Sequence, residues 1–162
     1  MKRIIFILIL LTGLGVAAVS FGTSVPQTEV RLYFTDAQIL KLIPVRTQIP
    51  ELPVEEQAKL VLKKLIQGDD ENLKIKRTIP NIKGCMTVSV KDDIAYVDIK
   101  DSMIQNHEDG RDLELLTVYS VVDSLLSIKG ITNVRFTVNG HKQKDFMGYL
   151  DMRETFIPDY TV

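Results

Sequence analysis

The sequence predicts an α+β fold: a mixed, largely antiparallel sheet with two helices packed on one face. Three observations lead there. First, Met86–Lys91 and Ile94–Ile99 read as strands joined by the tight turn Asp92-Asp93. With a two-residue loop, Lys91 faces Ile94, Val90 faces Ala95, Val88 faces Val97 and Met86 faces Ile99. The apolar residues then share one side, and Thr87, Ser89, Tyr96 and Asp98 take the other. Second, residues 54–67 and 112–128 each carry apolar residues at helical spacing. Third, the remaining strand-like runs have one apolar face each, so every helix stripe has a sheet face to cover.

The elements follow in order. Glu29–Phe34 alternates, with Val30, Leu32 and Phe34 on one face. Leu40–Ile49 reads as a second strand, with Pro44 bending it or marking an edge. The first helix, Val54–Gln67, aligns Ala58, Val61, Leu62 and Leu65. Pro53 starts it and Gly68 ends it; Glu55 and Glu56 near its start and Lys63 and Lys64 near its end suit the helix dipole. Asp69–Lys76 reads as a charged loop, followed by Ile79-Pro80, and the hairpin of residues 85–100 comes next. Ser102–Arg111 is polar and reads as loop. The second helix, Asp112–Ile128, aligns Leu115, Tyr119, Val122 and Leu126, widened by Leu116, Val118 and Leu125, and ends at Lys129-Gly130. Ile131–Val138 is a last long strand, with Val134, Phe136 and Val138 on one face and a turn at Asn139-Gly140. Phe146–Asp151 is a candidate for one short extra strand. The order is β-β-α-β-β-α-β, with no internal repeat and no low-complexity tract.

The 162 residues suit one domain, and 45% hydrophobic with 25% charged residues is globular composition. The net charge is −1, and the cationic residues are scattered among acids. No basic stripe points to nucleic acid. Lys2-Arg3 followed by the uncharged run Ile4–Phe21 is a targeting segment. As a helix that run spans about 27 Å, close to a bilayer core. Residues 1–21 are therefore either a signal peptide, with Ala18-Val19-Ser20 as cleavage site, or an N-terminal membrane anchor. Both place the domain outside the cytoplasm, membrane-anchored or secreted. Residues 22–28 read as a linker, and residues 29–162 as a single domain. Cys85 is the one cysteine. It allows no internal disulfide and reads as a small buried side chain rather than a reactive thiol. No cysteine directly follows the leader, which argues against a bacterial lipid anchor.

Candidate chemistry is sparse. His107 and His141 fall in predicted loops without metal-ligand company. Ser120, Asp123 and His141 have the residue types of a hydrolase triad. Ser120 and Asp123, however, lie one turn apart on a helix, without a nucleophile elbow. Asp69-Asp70-Glu71 lacks the spaced ligands of a calcium loop. Asp98, on the polar side of the hairpin, reads as a hydrogen-bonding partner of a neighbouring strand or loop, with a catalytic carboxylate as the lesser reading. Lys74–Arg77 and Gln105–Arg111 are charged or polar surfaces that could meet a partner. No catalytic, cofactor-binding or metal-ligating residue is assigned.

Several stretches together carry a family pattern. They are Leu32-Tyr33-Phe34, Leu42–Val45, Ile79-Pro80, Val88–Ile99, Glu114–Leu125, Val134, Val138–Gly140 and Gly148–Asp151. In this order and spacing they resemble the GerMN domain family of bacterial sporulation and spore germination proteins, from Arg31 to about Pro158. The resemblance implies a ring-building-motif-like domain, with its core at residues 54–138 and the strands of residues 30–49 as an N-terminal addition. It implies a non-catalytic, extracytoplasmic protein-interaction domain of a sporulation or germination envelope complex. Partners would be other envelope or sporulation proteins, with self-association into a ring among the possibilities. The membrane would be met only through the N-terminal segment. A secreted module binding cell-wall peptidoglycan is the alternative, and a small secreted hydrolase is the least favoured. Family members that are lipoproteins with two such domains differ from this chain, which has room for one.

Overall fold

The computed structural model describes residues 25–69 and 71–158. The predicted leader at residues 1–21, the start of the predicted linker, Asp70 and the last four residues of the predicted domain lie outside the described residues. Among the described residues, no helix is long and apolar enough to cross a membrane.

The elements are β1 (Gln27–Asp36), β2 (Leu42–Pro50), α1 (Val54–Gln67), β3 (Ile75–Lys76), β4 (Met86–Lys91), β5 (Ile94–Ile99), α2 (Asp101–Ile104), α3 (Arg111–Leu126) and β6 (Asn133–Val138). The fold is α+β, and its long elements keep the predicted order. The strands divide into two three-stranded sheets, β2-β1-β3 and β4-β5-β6, where the sequence reading had one. The first is antiparallel throughout; the second is mixed, because β6 runs parallel to β5. A hairpin followed by a helix occurs twice. Each helix packs chiefly on the first strand of the other hairpin, α1 on β4 and α3 on β1. That exchange joins the two sheets around one contiguous core, built from residues such as Val30, Leu65, Val97, Leu125 and Phe136.

Local chemistry explains each element. Asp92 and Asp93 have φ of 50° and 61°, the left-handed pair a two-residue hairpin turn requires. The β4–β5 register is the predicted one at all four pairs named from sequence. Gly68, at φ 71°, ends α1 with its N–H on the Lys64 carbonyl. β1 starts at Gln27, inside the segment read as linker. Pairing with Pro50 and the Glu51 N–H on the Pro26 carbonyl extend the strand beyond its alternating run. β3 and α2 fall in stretches read as loop; two residues and a single turn are too short to show a period.

Helix α3 departs further from its stripe. Leu115, Tyr119 and Leu126 are half-buried, whereas Val121, Ser120, Asp123 and Ser124 are buried. The helix is enclosed on its polar side too, because β1 lies against it. Residues 146–151 form no strand. The N–H groups of Tyr149 and Leu150 instead donate to the fully buried Glu114 carboxylate at 3.3 and 3.0 Å, which fastens the C-terminal segment to the first turns of α3. Phe156 completes that packing, edge-on to Phe136 and Tyr119.

Candidate functional site

The residues singled out from sequence mostly hold the fold together. Ser120 is buried, and its hydroxyl donates to the Tyr33 carbonyl at 2.5 Å. His141 is exposed in the turn after β6, where its backbone pairs with Val138. Asp123 is buried beside the α3–β1 seam. The structure therefore engages Ser120 with a strand rather than with a histidine. Among the described residues, no group of three or more His, Cys, Asp or Glu side chains could hold a metal ion.

Asp98 is a junction. One carboxylate oxygen accepts from Thr137 Oγ1 and the Gly140 N–H, each at 2.7 Å, and the other meets the Lys100 ammonium. Partial burial pushes its carboxyl up. The Lys100, Thr137 and Gly140 contacts outweigh burial and hold it below the ordinary aspartate range. It thus ties β5 to β6 and the following turn. His107 is buried, its Nε2 2.8 Å from Thr117 Oγ1 and its ring edge-on to Phe146. Burial lowers its pKa, against the pull of Glu108 and Asp109. Cys85 is fully buried, which raises its thiol pKa and suits the inert reading. Of the charged stretch Lys74–Arg77, Ile75 and Lys76 are β3, and Arg77 Nη1 caps the Gln67 carbonyl at the end of α1.

What remains is the state of the strand edges, where unpaired N–H and C=O groups invite another strand. On β1, Arg31 and Tyr33 turn their backbone groups away from β2 and toward α3. Ser127 Oγ accepts the Arg31 N–H at 3.0 Å and Ser124 Oγ accepts the Tyr33 N–H at 2.8 Å. Ser120 completes the row, and β3 pairs where the serines stop, at Thr35 and Asp36. On the outer edge of β2, the same alternation places Pro44 and Pro50 at outward positions, removing two donors. On β6, Val134 pairs with Phe156 and Val138 with His141.

The β4 edge differs. Lys91 and Ile94 form the hydrogen-bonded pair that closes a two-residue hairpin, so Val90, Val88 and Met86 turn their backbone groups outward. The Val90 N–H donates to Glu55 Oε2 of α1 at 3.1 Å. Among the described residues, nothing bonds the outward N–H of Val88, whereas the Met86 N–H donates to the Cys85 sulfur. Between this edge and α1 runs a groove of about 620 Å³, against about 210 Å³ at the α3–β1 seam. Leu62, Ile66, Met86 and Val88 line it with apolar surface, and Lys59, Lys63 and Lys83 bring positive charge to it. The sequence reading did not single out this groove. Its one available signal was the spacing of Lys59 and Lys63, which places both on one face of α1.

Comparison with known proteins agrees with this fold. The family described as "Germane: Sporulation and spore germination" matches residues 31–144. The tandem GerMN domains of the sporulation protein GerM from Bacillus subtilis superpose with a TM-score of 0.65 at 22% identity, over 82% of this chain and 46% of that one. This chain therefore spans about half the length of that tandem structure. The first GerMN domain of the same protein gives a TM-score of 0.59 at 21% identity, covering 83% of this chain and 99% of that domain. A candidate lipoprotein from Clostridium perfringens gives 0.58 at 17%, covering 82% and 87%. No curated protein matches in sequence. The match covers most of the described fold, both hairpins and both long helices included, and the chain belongs to the Germane family of sporulation and spore germination domains.

Proposed function

We propose that this chain is a non-catalytic, extracytoplasmic protein-interaction domain that serves a sporulation or spore germination envelope complex. The observation that carries the reading is the family match over residues 31–144. Three others support it. Ser120, Asp98 and His107 are engaged in packing or in holding elements together, while His141 is exposed in a turn. The predicted leader at residues 1–21 would carry the domain across the membrane and either stay as its anchor or be cleaved. One of its structural relatives is itself a candidate lipoprotein.

A fluorescent fusion expressed from the native promoter and followed through a sporulation time course tests the process. Induction at sporulation, with signal at the engulfing septum, is the expected result. Constitutive signal around the whole cell, together with pelleting of the protein on purified wall, would replace this reading with the wall-binding one.

A further inference from the structure

We propose that the groove between α1 and β4 takes an extended acidic segment of a partner protein, added as a strand on the β4 edge. This rests on the interaction-domain reading above and names its surface and the class of its partner.

The main chain supplies the first ground. Extended peptides are recognised by strand addition where a sheet edge is open and an adjoining groove accepts alternate side chains. Among the described residues, the edges of the other strands longer than the two-residue β3 are occupied by serines, β3 and tail residues, or interrupted by prolines at outward positions. On β4 the Val88 N–H faces a groove without a partner among the described residues. Its volume, about 620 Å³, lies in the range of ligand clefts. Leu62, Ile66, Met86 and Val88 are buried core residues along its floor, while Thr87, Asn81, Lys63 and Lys83 are the exposed side chains at its rim.

Charge supplies the second ground. Lys59 is already paired with Glu55 and Glu56, at 2.7 and 2.9 Å. Among the described residues, neither Lys63 nor Lys83 has an ion-pair partner, and both are exposed at the groove. An acidic strand would neutralise them, whereas a basic one would be repelled. The same logic disfavours a second copy of this chain. Its β6 edge is blocked at both ends, and its β2 edge is interrupted by outward prolines.

The test uses the full chain, with a labelled Glu-Val-Asp-Val-Glu-Val peptide and a Lys-Val-Lys-Val-Lys-Val counterpart as probes. Fluorescence anisotropy should show the acidic probe alone binding, more weakly as salt rises. Hydrogen exchange in Met86–Lys91 should slow when it binds. The exposed double substitution Lys63→Glu/Lys83→Glu should weaken that binding by about tenfold or more. Absent or charge-indifferent binding, or binding that leaves exchange in β4 unchanged, would overturn the proposal. So would dimerisation that the double substitution abolishes, because it would give the groove to a second copy. A photo-crosslinker placed at Thr87, and separately at Gln48 and Lys142, separates the two levels in sporulating cells. Adducts from Gln48 or Lys142 but none from Thr87 would overturn the groove and leave the interaction domain standing. No adduct from any position would overturn both.

Discussion

Two strands in this domain lie beside a helix of the other hairpin, and the two pairs meet the same problem differently. At β1, α3 presents Ser120, Ser124 and Ser127 at helical spacing, and these short hydroxyls reach the strand backbone directly. At β4, α1 offers Glu55 to one N–H and otherwise long lysines and apolar side chains. A serine hydroxyl bonds the strand backbone directly, whereas the lysines and leucines of α1 offer β4 no such partner. The first edge becomes a structural seam, and the second stays a groove. The hydrogen-bonding capacity of the side chains on the covering helix decides how far each edge is closed.

Removing a hydroxyl from the seam should produce the largest effect. Ser124→Ala leaves the buried Tyr33 N–H without its acceptor, which costs about 1–3 kcal/mol. The alanine returns at most about 0.5 kcal/mol of helix propensity. Ser120→Ala strips the Tyr33 carbonyl of its donor in the same way. Since Ser124 also donates to the Ser120 carbonyl, the two losses should couple rather than add. Urea unfolding of both single variants and the double variant measures this. A double variant as stable as the parent would show that the Ser120 and Ser124 hydroxyls do not hold β1 to α3.

Acid sharpens the contrast, because one edge is capped by a titrating group and the other is not. Glu55 is held below the ordinary glutamate range by its hydrogen bond to Lys59, and then by the Val90 N–H. A carboxylate lowered in the folded state contributes stability that is fully present above its unfolded pKa. That contribution is lost as pH falls through the folded value. Protection of the Val90 amide should therefore fall as pH drops below the usual glutamate range, while that of Arg31 and Tyr33 stays level. Glu55→Gln should reproduce part of the Val90 loss at neutral pH. Equal loss at both edges would mean that acid loosens the whole domain rather than one cap.

The outer edge of β2 offers a third, milder case. Pro44 sits opposite Tyr33, whose N–H points away toward Ser124, so the missing donor of Pro44 faces solvent. Pro44→Thr should restore that donor without disturbing the β1–β2 ladder. Fold stability should stay within about 0.5–1 kcal/mol, while sedimentation at high concentration should reveal weak self-association. A strictly monomeric variant would show that Arg46 and Gln48 protect this edge without the proline.

The contrast also explains what the sequence could and could not disclose. The β4–β5 register was readable because a two-residue turn and strict alternation leave one solution, and α1 because its stripe and its flanking Pro53 and Gly68 agree. Pro44 reads as a bend or an edge marker, and the strand that carries it is an edge strand. The division into two sheets was not readable, since it depends on which strand each helix meets. The serines of α3 lie among apolar residues at the spacing that would place them on a solvated face. Only the return of β1 across ninety or so residues of chain makes them backbone partners. The groove escaped for the same reason: Leu62 and Ile66 look like core, Lys63 and Lys83 look like surface, and their meeting at an open strand edge is a tertiary fact.

The smallest expected effect is the most telling about the groove. If Lys63 and Lys83 border an open edge rather than brace the fold, reversing both charges should change stability by no more than about 0.5 kcal/mol, as exposed substitutions do. Salt should not alter that result, because neither lysine has an ion pair to lose among the described residues. Urea unfolding of Lys63→Glu/Lys83→Glu at low and moderate salt measures it. A loss above about 1 kcal/mol that salt relieves would place these lysines in the charge balance that holds α1 against β4. The β4 edge would then join the β1 edge as a closed seam, and the difference between the two pairs would be one of degree.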